Sequence, residues 1–203
     1  MKRERSEIVD QAMRLFWARG FHGTSMRDLQ QVLDLRPGSI YAAFGSKEGL
    51  FREVLRYYTQ GGQTLLRRLR GETGSPLTAI ERYFQTVVLE LRHRAPNPQC
   101  LLVKSLLELS DDEEGELVVE VRNHLKGMQG CFAELLREAQ ANGEIPRELD
   151  PDRTAHYLQV QLMGLRSYAR LSEDEAVIGA VMQDLFARLR RGDLPTVARP
   201  VCH

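Results

Sequence analysis

Hydroxyl side chains at a helix start, where backbone N–H groups are free, make an anion site suited to a phosphate. Thr24 and Ser25 have that placement, because Ser25 and Asp28 form a capping-box pattern ahead of Leu29, Val32 and Leu33. Further on, Arg36-Pro37-Gly38-Ser39 opens another short apolar pattern. Arg36 has the reach to pair with a guanine edge, Gly38 lets a backbone approach, and Ser39 and Ala42 share one face. Tyr41 adds a phenol beside an apolar ring, Lys47 a point charge at the next helix start, and Arg27 a cation for phosphate or base. These residue types describe a surface that grips a polyanion.

Catalytic chemistry has much less support. Glu120, His124 and Cys131 fall on one side of a helical pattern, but a fourth metal ligand is missing, so His124 reads as a solvated side chain and no metal or cofactor is expected. No Gly-rich phosphate loop and no GxSxG motif occurs. Cys100, Cys131 and Cys202 are odd in number and lack CxxC spacing, which predicts a reducing, cytoplasmic setting without a disulfide framework. No apolar run is long enough for a membrane span, so no membrane partner is expected.

The elements that must position these residues are helices. Ile8, Ala12, Leu15 and Phe16 predict a first helix over 5–19, stopped by Gly20; Ser25 opens a second and Pro37 a third. A fourth runs from Lys47 through Tyr58 and resumes at Leu65 beyond Gly61-Gly62, a pair that marks an ending or a deliberate weak point. Further helical patterns begin at Ser75-Pro76, at Leu101, near Glu116, at Asp152 and after Glu173, the last stopped by Gly192. Strand alternation and internal repeats are absent from the sequence. The 203 residues carry equal numbers of acidic and basic groups, 28 of each, yet residues 1–70 hold 13 Lys and Arg against 7 Asp and Glu, and the remainder 15 against 21. A polyanion would be attracted to the front and repelled by the back.

The string from Thr24 to Phe51, with Leu35-Arg36-Pro37-Gly38-Ser39-Ile40-Tyr41-Ala42-Ala43-Phe44-Gly45-Ser46-Lys47-Glu48-Gly49-Leu50 at its centre, closely resembles the DNA-binding signature of the TetR family of bacterial regulators. It departs from the family pattern at Gln30, at Asp34 in the turn, and at Ala43, where one phosphate contact is expected to be lost; Asp tolerates a left-handed turn, so the fold is not threatened. The resemblance implies an all-α fold of about nine helices. Residues 1–50 would be a three-helix head with a helix-turn-helix, 51–192 a ligand-binding and dimerisation domain, and 193–203 a flexible tail. It also implies the function: a homodimeric repressor released from a palindromic double-stranded DNA operator by a small effector, and not an enzyme.

In the family the effector enters a cavity among the middle helices. The candidates here are Tyr57, Tyr58, Phe84, Leu101, Met128, Phe132, Met163 and Tyr168, and the lack of a convergent charged cluster points to an apolar or electrophilic effector. Cys100 and Lys104 add a sharper feature, since Cys100-Leu101-Leu102-Val103-Lys104 is similar to the Cys-leading segment of TetR-type repressors that sense electrophiles. A thiol at a helix start with a lysine one turn on has the setting of a reactive cysteine. The dimer interface is expected at Gly164, Val177, Ala180, Val181, Leu185 and Phe186, because residues 177–189 are apolar over more than one helix face. Gly61-Gly62 is the expected hinge between head and ligand domain. The rival to all this is a helical interaction protein that works through its acidic half and does not bind DNA.

Overall fold

The computed structural model describes residues 4–92, 95–97, 99–172 and 174–194. Among these there are nine α-helices and no strand: α1 Arg5–Arg19, α2 Met26–Leu33, α3 Pro37–Phe44, α4 Lys47–Thr73, α5 Pro76–Gln85, α6 Leu101–Glu108, α7 Gly115–Ala141, α8 Pro151–Leu171 and α9 Glu175–Arg191. One π-helical turn, Thr86–Glu90, extends α5. The expected tail at 193–203 lies outside the described residues beyond Leu194.

Local chemistry sets the ends. Ser25, Ser46, Ser75, Asp150 and Asp174 each accept hydrogen bonds from backbone N–H groups of the helix they precede. Pro76 and Pro151 occupy first-turn positions where no N–H is needed. Asp34 closes α2 in the left-handed region, at φ 51°, as its place in the turn requires. The glycine pair in α4 does not end that helix. The chain stays helical for 27 residues, about 40 Å, because Leu55 and Thr59 before the pair and Leu66 and Leu69 after it are all buried.

Two cores result. One holds the head together around Phe16, Phe21 and Phe51, whose rings lie 4.9–6.2 Å apart. It is completed by Leu101, Leu102 and Leu109 of the α6 region and by Leu117, Val118 and Val121 of α7. The head is thus bonded to its body through α6 and α7 as well as α4. The second core packs α5, α7, α8 and α9 around Phe84, Phe132 and Phe186, with Phe84 and Phe186 edge to face at 5.2 Å.

Candidate nucleic-acid interface and ligand cavity

Of the eight residues of α3 only Ile40 is buried. A helix that buries so little in its own chain is held as a projecting element, anchored by Ile40 below and at its end by Arg5. The Arg5 guanidinium lies over the Phe44 ring at 4.6 Å, donates to the Ala43 carbonyl, and is ion-paired with Glu53 of α4. Arg36, Pro37, Gly38, Ser39, Tyr41 and Ala42 are exposed together, and a Cβ added at Gly38 would touch nothing within 4 Å. No internal packing demands a glycine there. Arg27 of α2 is exposed as well.

Three residues expected to touch phosphate have other tasks. The Thr24 side chain is fully buried and donates from Oγ1 to the Gly20 carbonyl at 2.7 Å. Ser25 is occupied by a complete capping box with Asp28: its Oγ accepts from Asp28 N at 3.1 Å and donates to the Asp28 carboxylate, which also accepts from Ser25 N. Lys47 is partly buried, its Nζ 4.1 Å from the Phe21 ring centroid and donating to the carbonyls of Phe21 and Thr24 at 3.1 and 3.3 Å. The sequence shows their polar heads but not that the α1–α2 corner consumes them.

Between head and body lies a cavity of about 260 Å³. Its wall takes Met13 and Trp17 from α1, Tyr57, Tyr58, Gly61, Gly62 and Leu65 from α4, Tyr83 and Val87 from α5 and its π turn, Cys100 and Leu102 from the α6 start, and Leu125, Met128, Phe132, Gln159, Leu162, Met163 and Arg166 from α7 and α8. Tyr57, Tyr58, Cys100, Met128, Phe132 and Met163 are therefore brought together as expected candidates. Four others are placed elsewhere: Phe84 faces Phe186 in the core, Leu101 is buried in the head core, and Tyr168 is half exposed on α8. The fourth, Lys104, donates to the Trp17 and Ala18 carbonyls at 2.9 and 3.0 Å, capping the end of α1.

Polar groups in the wall escaped the sequence reading because they come from distant segments. Arg166 is 9 % exposed, and its Nη1 donates to Tyr58 Oη at 3.1 Å; that phenol lies 3.6 Å from Cys100 Sγ. Burial pushes the Tyr58 and Tyr83 phenols well above their ordinary range, although the Arg166 charge pulls the other way, so both are neutral donors at physiological pH. Trp17 is fixed by its Nε1 bond to the Gln99 carbonyl at 2.7 Å and packs edge to face on Tyr58. Cys131 lies outside the cavity wall, and burial raises its thiol pKa. Among the described residues no three His, Cys, Asp or Glu side chains gather to hold a metal, and no helix is long and apolar enough to cross a membrane.

The expected dimer residues divide by face. Leu185 and Phe186 are buried in the chain's own core, whereas Gly164, Val177, Ala180 and Val181 are exposed, as are Val160, Tyr168 and Leu171 of α8.

The family model described as "Bacterial regulatory proteins, tetR family" matches residues 8–54, and the "Tetracyclin repressor-like, C-terminal domain" matches residues 76–185. The chain belongs to the TetR family. It is a helix-turn-helix transcriptional regulator, and α2 and α3 both lie within the matched N-terminal stretch. Among TetR-type relatives, the HTH-type transcriptional repressor ComR of Escherichia coli K12 is 29 % identical over 168 residues, 82 % of this chain and 80 % of that one. The repressor DhaR of Mycobacterium sp. GP1 is 27 % identical over 79 % of each chain. A cysteine mutant of the TetR family regulator CifR, solved with 26-base-pair operator DNA, superposes with TM-score 0.81 at 26 % identity over 92 % of this chain and 97 % of its own. Reduced NemR of E. coli shares the fold, with TM-score 0.78 and 22 % identity over 96 % of this chain.

Proposed function

We propose that this TetR-family regulator acts as a homodimeric repressor, holding a palindromic operator through α3 and leaving it when a small molecule fills the cavity. The observation that carries the reading is the projecting α3, with one buried residue and an exposed Arg36, Gly38, Ser39 and Tyr41. Two such helices about 34 Å apart would enter successive major grooves. Tyr41 would position the backbone, and Arg36 and Arg27 would supply charge; Ser39 and Ala42 face the base edges. The exposed faces of α8 and α9, with Tyr168, Leu171, Val177 and Val181 between 44 and 82 % exposed, support pairing with a second copy. Its place of action is then the bacterial cytoplasm.

Release follows from what the cavity touches. Met13 and Trp17 in its wall belong to the head, and α6 begins at the wall with Cys100 and Leu102 and ends at the head, where Lys104 caps α1 and Glu108 accepts from Phe21 N at 2.8 Å. A ligand that moves α6 or α4 drags the corner that supports α3, and with it the spacing of two heads. Cys100 favours a second reading in which the effector is an electrophile. Its Sγ adds to an activated carbon–carbon double bond, the S–C bond forming as the π bond breaks and the thiol proton passing to the other carbon.

The test of the main reading is Arg36→Ala. It is expected to weaken selective binding to operator DNA by about 1–3 kcal/mol and to relax preference at one base pair, while non-selective binding changes little. Equal losses on operator and random duplex would remove α3 as the reader.

A further inference from the structure

Several polar groups in the cavity wall are engaged within the chain. Arg166 donates to the Tyr58 phenol, Trp17 Nε1 to the Gln99 carbonyl and Thr59 Oγ1 to the Leu55 carbonyl. Two others are not. Among the described residues, Arg92 Nη1 and Gln159 Oε1 are buried without a hydrogen-bond partner, and both side chains line the cavity. One is a donor and the other an acceptor, and each is costly to leave unmet. Arg92 stands just after the π turn Thr86–Glu90, which the Leu91 N to Thr86 O bond closes at 2.9 Å; Gln159 lies on α8, against which that turn packs. Such turns recur in helices at functional sites. The rest of the wall is rich in aromatic rings and sulfur, with Trp17 and Phe132 beside Met13, Met128 and Met163. A thioether is polarizable and makes favourable contacts with an aromatic ring.

We propose that the cavity binds a one-ring aromatic compound that carries both a carbonyl and a hydroxyl group. The carbonyl oxygen accepts from Arg92 Nη1, the hydroxyl donates to Gln159 Oε1, and the ring rests among the methionines, Trp17 and Phe132. At about 30 Å³ per water-sized group, 260 Å³ holds on the order of nine such groups, the size of a single ring with two short substituents. This deepens the proposed function, since it rests on the cavity being the effector site, and it replaces the purely apolar effector that the sequence suggested. Neither Arg92 nor Gln159 stands out in the sequence: they are 67 positions apart, and only the packing of the π turn against α8 brings them to one wall.

Binding is measured by isothermal titration calorimetry, and because Trp17 is the chain's one tryptophan and lines the cavity, a change in its emission places the ligand there. The 3- and 4-hydroxyacetophenones are titrated against the matching methoxyacetophenones, which lose the donor, and the matching ethylphenols, which lose the carbonyl. At least one hydroxy ketone is expected to saturate and to bind at least about tenfold tighter than either counterpart. Gln159→Leu is expected to bring the hydroxy-to-methoxy ratio toward one and to leave the ketone-to-ethyl ratio in place, and Arg92→Met to do the opposite. Gln159→Met, closer in shape to glutamine, repeats the first test should Gln159→Leu lower the helical circular dichroism. Failure of both hydroxy ketones to saturate, counterparts that bind as tightly, or a variant that leaves its own ratio unchanged would each overturn the proposal. Operator binding is read in the same samples. Hydroxy-ketone binding that leaves DNA affinity untouched would keep the site and remove the regulatory reading; release of DNA by hydroxy and methoxy ketones alike would keep that reading and overturn the two hydrogen bonds.

Discussion

Gly61 and Gly62 sit side by side in the middle of α4, yet their surroundings predict opposite responses to a methyl group. A glycine inside a helix is less favourable than alanine by about 1 kcal/mol, chiefly through the backbone freedom it loses on folding. At Gly61 a Cβ would meet nothing within 4 Å, so Gly61→Ala is expected to recover about 0.5–1 kcal/mol, raising Tm by roughly 1–4 °C for a chain of this size. At Gly62 the Cβ would lie 3.1 Å from Tyr83 Oη and 3.9 Å from Met128 Sδ. Tyr83 is buried and packed edge to face on Phe132 at 5.8 Å, so its phenol has little room to retreat. Gly62→Ala is therefore expected to cancel the helix gain with about 1 kcal/mol or more of crowding and to leave Tm unchanged or lower. Thermal unfolding followed by circular dichroism at 222 nm separates the two variants. A fall in Tm for Gly61→Ala would refute the continuous helix, and an equal rise for both would refute the close approach of Tyr83. The pair lines the cavity between the two cores, so a stiffer α4 should also weaken coupling between cavity and head. If Gly61→Ala leaves ligand-driven release of DNA unchanged, the hinge is elsewhere.

Ser25→Ala should cost about 1 kcal/mol of stability through loss of the α2 cap while leaving the salt slope of DNA binding intact; a slope reduced by about one would mean that Ser25 holds a phosphate after all. Val181→Glu on the exposed face of α9 should convert a dimer to monomer in sedimentation analysis without loss of helix, and an unchanged dimer would place the interface on another surface. Burial holds the His124 imidazole below its ordinary value of 6.5, with Glu120 3.8 Å away pulling the other way. The folded chain thus resists a proton that the unfolded chain accepts. This costs nothing above about pH 6.5 and grows as pH falls toward the folded pKa. Urea unfolding across pH 5–7.5 should show a shallower acid-side loss in His124→Gln than in the parent, and identical slopes would count against it.

The helices were legible because their signals are local. Ser25 with Asp28, Pro37 and Ser75-Pro76 carry their caps within a few residues, and the apolar stripes repeat at helical spacing. What a polar group does after the helices pack is a different matter. Thr24 and Lys47 look like phosphate ligands in the sequence, yet the α1–α2 corner has carbonyls at Gly20, Phe21 and Thr24 to which these two side chains donate. The same holds for Lys104, whose partner carbonyls are on α1. The cavity was half legible: Tyr57, Tyr58 and Cys100 face it, but Arg92 and Arg166 reach it only through a π turn and a helix crossing that no local pattern encodes. On α9 the apolar residues were visible and their division was not. Leu185 and Phe186 turn inward, while Val177 and Val181 remain outside.

The central claim, selective operator binding by the exposed α3, is tested most directly by titrating the protein into labelled duplex from upstream of its own gene, in rising salt, beside a scrambled duplex of equal length. Binding to the native duplex is expected to be at least about a thousandfold tighter than to the scrambled one, with log affinity falling steeply and linearly with log salt. Equal affinity for both duplexes, and for every sequence offered in a genome-wide selection, would contradict it.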